Sequence, residues 1–125
     1  TLVKTGLPMD EDGYRLTKSL LESTPRPTAL FTGSKLLTYG ALHAIYDSSL
    51  MIPADIALAS FDKLDWMPSL PSMSYAEQPA YDLGKAAMQL LLNRFETPSR
   101  AAQKIVLEST IHFDSSYKPT VADPP

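Results

Sequence analysis

The stretch IPADIALASFDKLDW, residues 52–66, decides the fold. Pro53 opens a turn, and residues 56–61 run on as a strand whose side chains are apolar or small on both faces. That is the pattern of a parallel strand covered on each side. The run ends abruptly at an acid, Asp62, and the next residues alternate charge and bulk through Lys63, Leu64, Asp65 and Trp66. A carboxylate at the carboxyl end of such a strand needs a reason.

Upstream, TALFT (28–32) reads as a second short buried strand. Gly33 and Ser34 follow as turn and N-cap, and LLTYGALHAIYDSS places Leu37, Ala41, Ala44 and Ile45 at helical spacing. An earlier helix spans about residues 11–23 with Tyr14, Leu16, Leu20 and Leu21, and the prolines of STPRPT end it. Its leading acids, Asp10, Glu11 and Asp12, suit a helix N-terminus without any chemistry. Residues 2–4 (LVK) read as a short strand.

Downstream, the Pro- and Ser-rich MPSLPS links to an extended piece, MSYAEQ (73–78). Pro79 then sits where a first helical turn tolerates it. Leu83, Ala87, Leu91 and Phe95 mark one face of a helix reaching about residue 96. KIVLESTIHF (104–113) alternates Ile105, Leu107, Ile111 and Phe113 against Glu108, Thr110 and His112, which predicts a strand with one wet face, and the tail after it reads as loose. The whole predicts an α/β fold: an open, mostly parallel sheet with flanking helices on both faces. With only four or five short strands, the sheet looks incomplete.

The 125 residues are 44% hydrophobic, enough for one domain with a core. The formal net charge is −3 and no two Lys or Arg residues adjoin, so these residues carry no electrostatic footprint for nucleic acid. There is no cysteine, and His43 and His112 stand far apart without ligand spacing, so neither a metal nor a cofactor is expected. No apolar run approaches the roughly 20 residues of a membrane helix, and no signal-peptide succession opens the chain at Thr1. Neither a G-x-S-x-G elbow, nor a phosphate-binding glycine loop, nor a nucleophile beside a histidine occurs, which argues against an enzyme.

In open parallel sheets, ligands lie outside the carboxyl ends of the strands. Three such ends are 31–34, 61–63 and 75–78. Asp62 either caps the turn after its strand or offers its carboxylate to the crevice, where it can accept two hydrogen bonds from neighbouring hydroxyls or N–H groups. Ser34 reads as an N-cap whose helical turn also faces the crevice. Phe31 reads as core, with stacking on a ligand ring as the alternative. Trp66 is a lid, an interface anchor or a cover for the core edge.

Two segments, RPTALFTGSKLLTYGALHAIYDSSLMIPADIALASFD and PSMSYAEQPAYDLGKAAMQLLLNRFE, resemble the C-terminal part of the lactose and galactose repressor family of bacterial transcription regulators, from about Gly13 to Ser115. The elements PTALF, YGAL, IPADIALASFD and EQPAYDLGKAA stand in the family's order and spacing. The resemblance implies part of a two-lobed type I periplasmic-binding-protein-like fold in a cytoplasmic homodimer. A small-molecule effector, a sugar or sugar derivative, would sit between the lobes, and operator DNA would be met only by an N-terminal helix-turn-helix outside these residues. A periplasmic sugar-binding protein of a transport system is the alternative.

The resemblance also implies that 1–76 belong to the C-terminal lobe, 77–104 to the crossover and a helix of the other lobe, and 105–115 to a returning strand, with 116–125 a flexible tail. Asp62 matches the family's cleft acid, Phe31, Ser34 and Gln78 match cleft positions, and Tyr39, Leu42, His43 and Tyr46 match the dimerisation face. Two departures stand out. Lys35 and Lys63 occupy positions where the family usually carries acids, and Lys35 falls in a first helical turn, where a cation is disfavoured. Both lysines are therefore candidate contacts for an anionic effector, a sugar acid or sugar phosphate, with surface lysines facing away as the alternative.

Overall fold

Strand pairing turns the alternation into a single sheet in a computed structural model that describes residues 2–64 and 73–114. In chain order the elements are α1 (Asp10–Leu21), β1 (Ala29–Thr32), α2 (Lys35–Asp47), β2 (Ala57–Phe61), β3 (Ser74–Glu77), α3 (Ala80–Glu96) and β4 (Thr110–His112). The sheet order is β1-β2-β3-β4. The first three strands are parallel and β4 returns antiparallel to β3, so the α/β class with a mostly parallel open sheet stands.

Three expectations need correction. Residues 2–4 form no strand. The return strand predicted over 104–113 narrows to Thr110–His112, the stretch that finds β3 as its partner. Nor are both faces of the sheet covered by helices among the described residues: α2 packs on β1 and β2, α1 packs on α2, and α3 packs on no other element. Along β2 only Leu58 and Ser60 are buried, while Ala57, Ala59 and Phe61 on the opposite face are half-buried.

The core lies between α2 and the sheet. Leu42, Ile45 and Ile56 are fully buried and pack with Tyr39, Leu58 and Leu64. Each such aliphatic side chain contributes about 1.5–3 kcal/mol of burial. Two glycines then let α1 lie directly on α2. A Cβ at Gly13 would stand 2.5 Å from the Leu37 carbonyl oxygen, and one at Gly40 would run into the Asp10 carbonyl and the Tyr14 amide. The backbones touch there because no side chain intervenes.

The outer seam of this helix pair is polar. Tyr14 Oη donates to Asp47 at 3.0 Å, Lys18 donates to Ser48 at 3.0 Å, and His43 lies 3.7 Å from Asp10. At the N-terminal edge, Arg15 and the Leu7 N–H both bond the Asp12 carboxylate and hold it below the usual carboxylate range. Helix α3 is the opposite case: it has no buried residue, and Leu83, Leu91 and Phe95, on the face predicted to pack, are 40%, 48% and 71% exposed.

Candidate functional site

The register of the parallel strands brings three carboxyl ends level. Thr32 pairs with Ser60, and Phe61 pairs with Ala76, so Gly33-Ser34, Asp62 and Glu77-Gln78 leave the sheet at the same edge. The three ends expected to line the crevice therefore stand side by side along one edge of β1, β2 and β3.

Asp62 is its centre. Its backbone takes the left-handed conformation, φ 74°, which costs on the order of 1 kcal/mol or more for a residue other than glycine and is eased for Asp by local hydrogen bonding. Two bonds fix that conformation: the Asp62 N–H donates to the Ala76 carbonyl at 2.8 Å, and Ser60 Oγ donates to the Asp62 carbonyl at 2.8 Å. The carboxylate has partners outside its own turn. It reaches across to Gln78, whose Nε2 donates to Oδ2 at 2.5 Å and whose backbone N–H approaches Oδ1 at 3.4 Å.

Ser34 is extended and caps α2, its Oγ accepting from the Leu37 N–H at 3.3 Å. Behind it, buried Thr38 bonds Thr32 Oγ1 and the Ser34 carbonyl, each at 2.8 Å. That pair ties the end of β1 to the first turn of α2. Lys35 is half-buried in this turn, and Lys63 is exposed beside Asp62.

Other candidates fall elsewhere. Phe31 is 66% exposed rather than core, because its face of β1 carries no helix. It lines an apolar cavity of about 380 Å³ with Leu16, Leu20, Leu30 and Leu37, and neither Asp62 nor Gln78 lines that cavity. Trp66 lies outside the described residues. Of the predicted dimerisation stripe, Tyr39 and Leu42 are buried in the core between α2 and the sheet, whereas His43 and Tyr46 face outward.

One cluster escaped sequence reading. Tyr75 and His112, opposite each other across β3 and β4, stack with ring centroids 4.6 Å apart at 17°. His112 Nε2 also lies 2.8 Å from Glu77 Oε2, a proximity without an aligned hydrogen bond. This ties the strand that leaves the sheet to the strand that returns. The alternation of 104–113 put His112 on the wet face but carried no information on the partner. Among the described residues no group of three His, Cys, Asp or Glu converges as a metal site, and no helix is long and apolar enough to cross a membrane.

An open parallel sheet with an acid at its convergent carboxyl ends is the build of a ligand-binding α/β lobe. Comparison with known proteins makes the class specific: residues 1–116 match the model of the periplasmic binding protein-like domain. The ribose operon repressor of Haemophilus influenzae is 37% identical over 101 residues, covering 80% of this chain and 30% of that protein. The HTH-type transcriptional repressor PurR of Klebsiella pneumoniae is 33% identical over 96 residues, 76% of this chain and 28% of that protein. A LacI family transcriptional regulator from Enterococcus faecium, solved with bound ribose, superposes with a TM-score of 0.71 at 24% identity over 85% of this chain and 39% of its own, a likeness of fold. The chain belongs to the periplasmic binding protein-like family in the form carried by the lactose and galactose repressors. It spans about 30% of the length of the curated relatives it matches.

Proposed function

We propose that this chain is the effector-binding portion of a bacterial transcriptional regulator, non-catalytic and cytoplasmic, with Asp62 as the principal effector contact. The single observation that carries the reading is the Asp62 carboxylate, which stands at the level carboxyl ends of three parallel strands and accepts a forked pair of donors from Gln78. A vicinal diol presents the same fork. The effector is a sugar or a sugar derivative, with Ser34 and Gln78 at the rim. That the relatives are repressors speaks against the transport alternative.

In this reading residues 1–76 make one lobe, α3 belongs to the other, and the return to β4 closes the hinge. Operator DNA is met by a part of the regulator outside these residues, and two copies associate through the outward side of α2 with His43 and Tyr46. Lys35 and Lys63 extend the proposal to a sugar acid or sugar phosphate. Calorimetric titration with ribose, gluconate and ribose 5-phosphate tests it, in the protein expressed from its natural gene. An anionic effector gives tighter binding of the acid or phosphate, lost in the Lys35→Ala, Lys63→Ala double variant. Equal affinity for a neutral sugar and its phosphate removes the lysines from the site. Unchanged binding in Asp62→Ala removes the whole reading.

A further inference from the structure

We infer that Ser60 is a positioning residue for the effector site: its buried hydroxyl holds the backbone turn at Asp62, and that turn decides where the Asp62 side chain leaves the end of β2. The inference rests on the reading of Asp62 as the effector contact and adds a residue that acts through it. Ser60 is 1% exposed, on the face of β2 that packs under α2, so its influence on an effector runs through its neighbour rather than through contact.

Leu58, two positions earlier on that face, belongs to the apolar core, where an unbonded hydroxyl is costly. Ser60 meets the cost by donating to the Asp62 carbonyl at 2.8 Å. Strand alternation would send the side chain of residue 62 to the same covered face, and burying a carboxylate there is costlier still. The left-handed backbone at Asp62, φ 74°, breaks the alternation, and the carboxylate meets Gln78 at the crossover instead. A second buried hydroxyl serves the neighbouring loop in the same manner, for Thr38 bonds the Ser34 carbonyl at 2.8 Å.

The two backbone bonds of Asp62 differ in what they sense. Its N–H lies before the φ bond and continues the parallel ladder onto the Ala76 carbonyl, which an extended residue would do equally well. Its carbonyl lies beyond φ, so the bond from Ser60 is the one that favours the turned state. A left-handed backbone at a residue other than glycine persists only while its surroundings hold it. The bond does not choose the rotamer of Asp62; it sets the direction of the Cα–Cβ bond from which the carboxylate starts. When the turn is populated only in part, apparent affinity falls by that fraction.

The test uses the protein expressed from its natural gene, titrated in turn with ribose, gluconate, ribose 5-phosphate and adenine. Ser60→Ala and Ser60→Cys, which remove or weaken the donor, are expected to raise the dissociation constant of whichever probe binds by about three- to tenfold, the worth of one hydrogen bond. Ser60→Thr keeps the hydroxyl and is expected to bind like the unaltered protein. Leu58→Ala separates positioning from stability: it is expected to lower the urea midpoint more than Ser60→Ala does and to leave the dissociation constant unchanged. In Ser60→Ala the one-bond NMR coupling between Cα and Hα of Asp62, which differs between positive and negative φ, is expected to move toward the negative-φ value. Equal weakening of binding in Ser60→Ala and Leu58→Ala gives Ser60 a merely structural role and overturns the inference. Unaltered affinity in Ser60→Ala overturns it too, as does a loss in Ser60→Thr as large as in Ser60→Ala. Binding indifferent to Asp62→Ala, or absent with all four probes, instead overturns the reading on which it rests.

Discussion

The α1–α2 body and helix α3 carry similar apolar spacing and come to opposite ends. In α2, Leu42 and Ile45 vanish into a core shared with Ile56 and Leu58, whereas on α3 Leu83, Leu91 and Phe95 remain open. Periodicity therefore specifies which face of a helix seeks cover, not what covers it. Exposure on this scale marks a surface meant for contact. In the functional reading the body is a lobe with its own core, and α3 belongs with the rest of a two-lobed regulator.

Truncations sharpen this contrast most. Leu42→Ala is expected to cost about 2–5 kcal/mol of stability, while Leu91→Ala in this chain stays within about 0.5 kcal/mol. Urea unfolding of both variants checks it, and comparable losses would mean that α3 packs as tightly as α2.

Glycines give the next largest difference. Gly40→Ala forces the α1–α2 backbones apart and is expected to destabilise by about 1–3 kcal/mol. Gly84→Ala meets open space in the interior of α3 and is expected to favour that helix by up to about 1 kcal/mol. Circular dichroism melts of the two variants are expected to move in opposite directions.

Helix starts differ less. Ser34→Ala removes the bond to the Leu37 N–H and is expected to cost about 0.5–2 kcal/mol, read by thermal unfolding. Pro79, at the corresponding place on α3, makes no side-chain cap bond to lose.

The smallest effect lies on the exposed seam of the body. The hydrogen bond to Asp47 raises the Tyr14 phenol above its ordinary value, so its contribution is fully present below the unfolded phenol's range and fades as pH rises through the folded value. The difference in stability between Tyr14→Phe and the unaltered protein is expected to shrink in alkaline urea titrations. A difference that grows with pH would reverse the sign.

Sequence reading located most elements because their signals are local. Ser34 before an apolar helix, STPRPT after one and the small-residue run into Asp62 each mark a boundary within a few residues. The contacts it missed join distant residues. Asp62 meets Gln78 across 16 positions, His112 stacks on a tyrosine 37 positions earlier, and Gly13 opposes Leu37 in another helix. Phe31 was misread as core for a related reason, since a β-strand pattern does not tell which face a helix will cover. The stripe of Tyr39, Leu42, His43 and Tyr46 divides in the same way, its inner half serving the core and its outer half remaining on the surface.

The most direct measurement is thermal unfolding of the protein expressed from its natural gene, with and without millimolar sugars, sugar acids, sugar phosphates and purines, in the unaltered protein and in Asp62→Ala. A ligand at about 100 times its dissociation constant adds roughly 2.7 kcal/mol of stability if it binds only the folded state. The account predicts that one ligand class raises the midpoint and that Asp62→Ala abolishes the rise. A rise of equal size in the variant would contradict it.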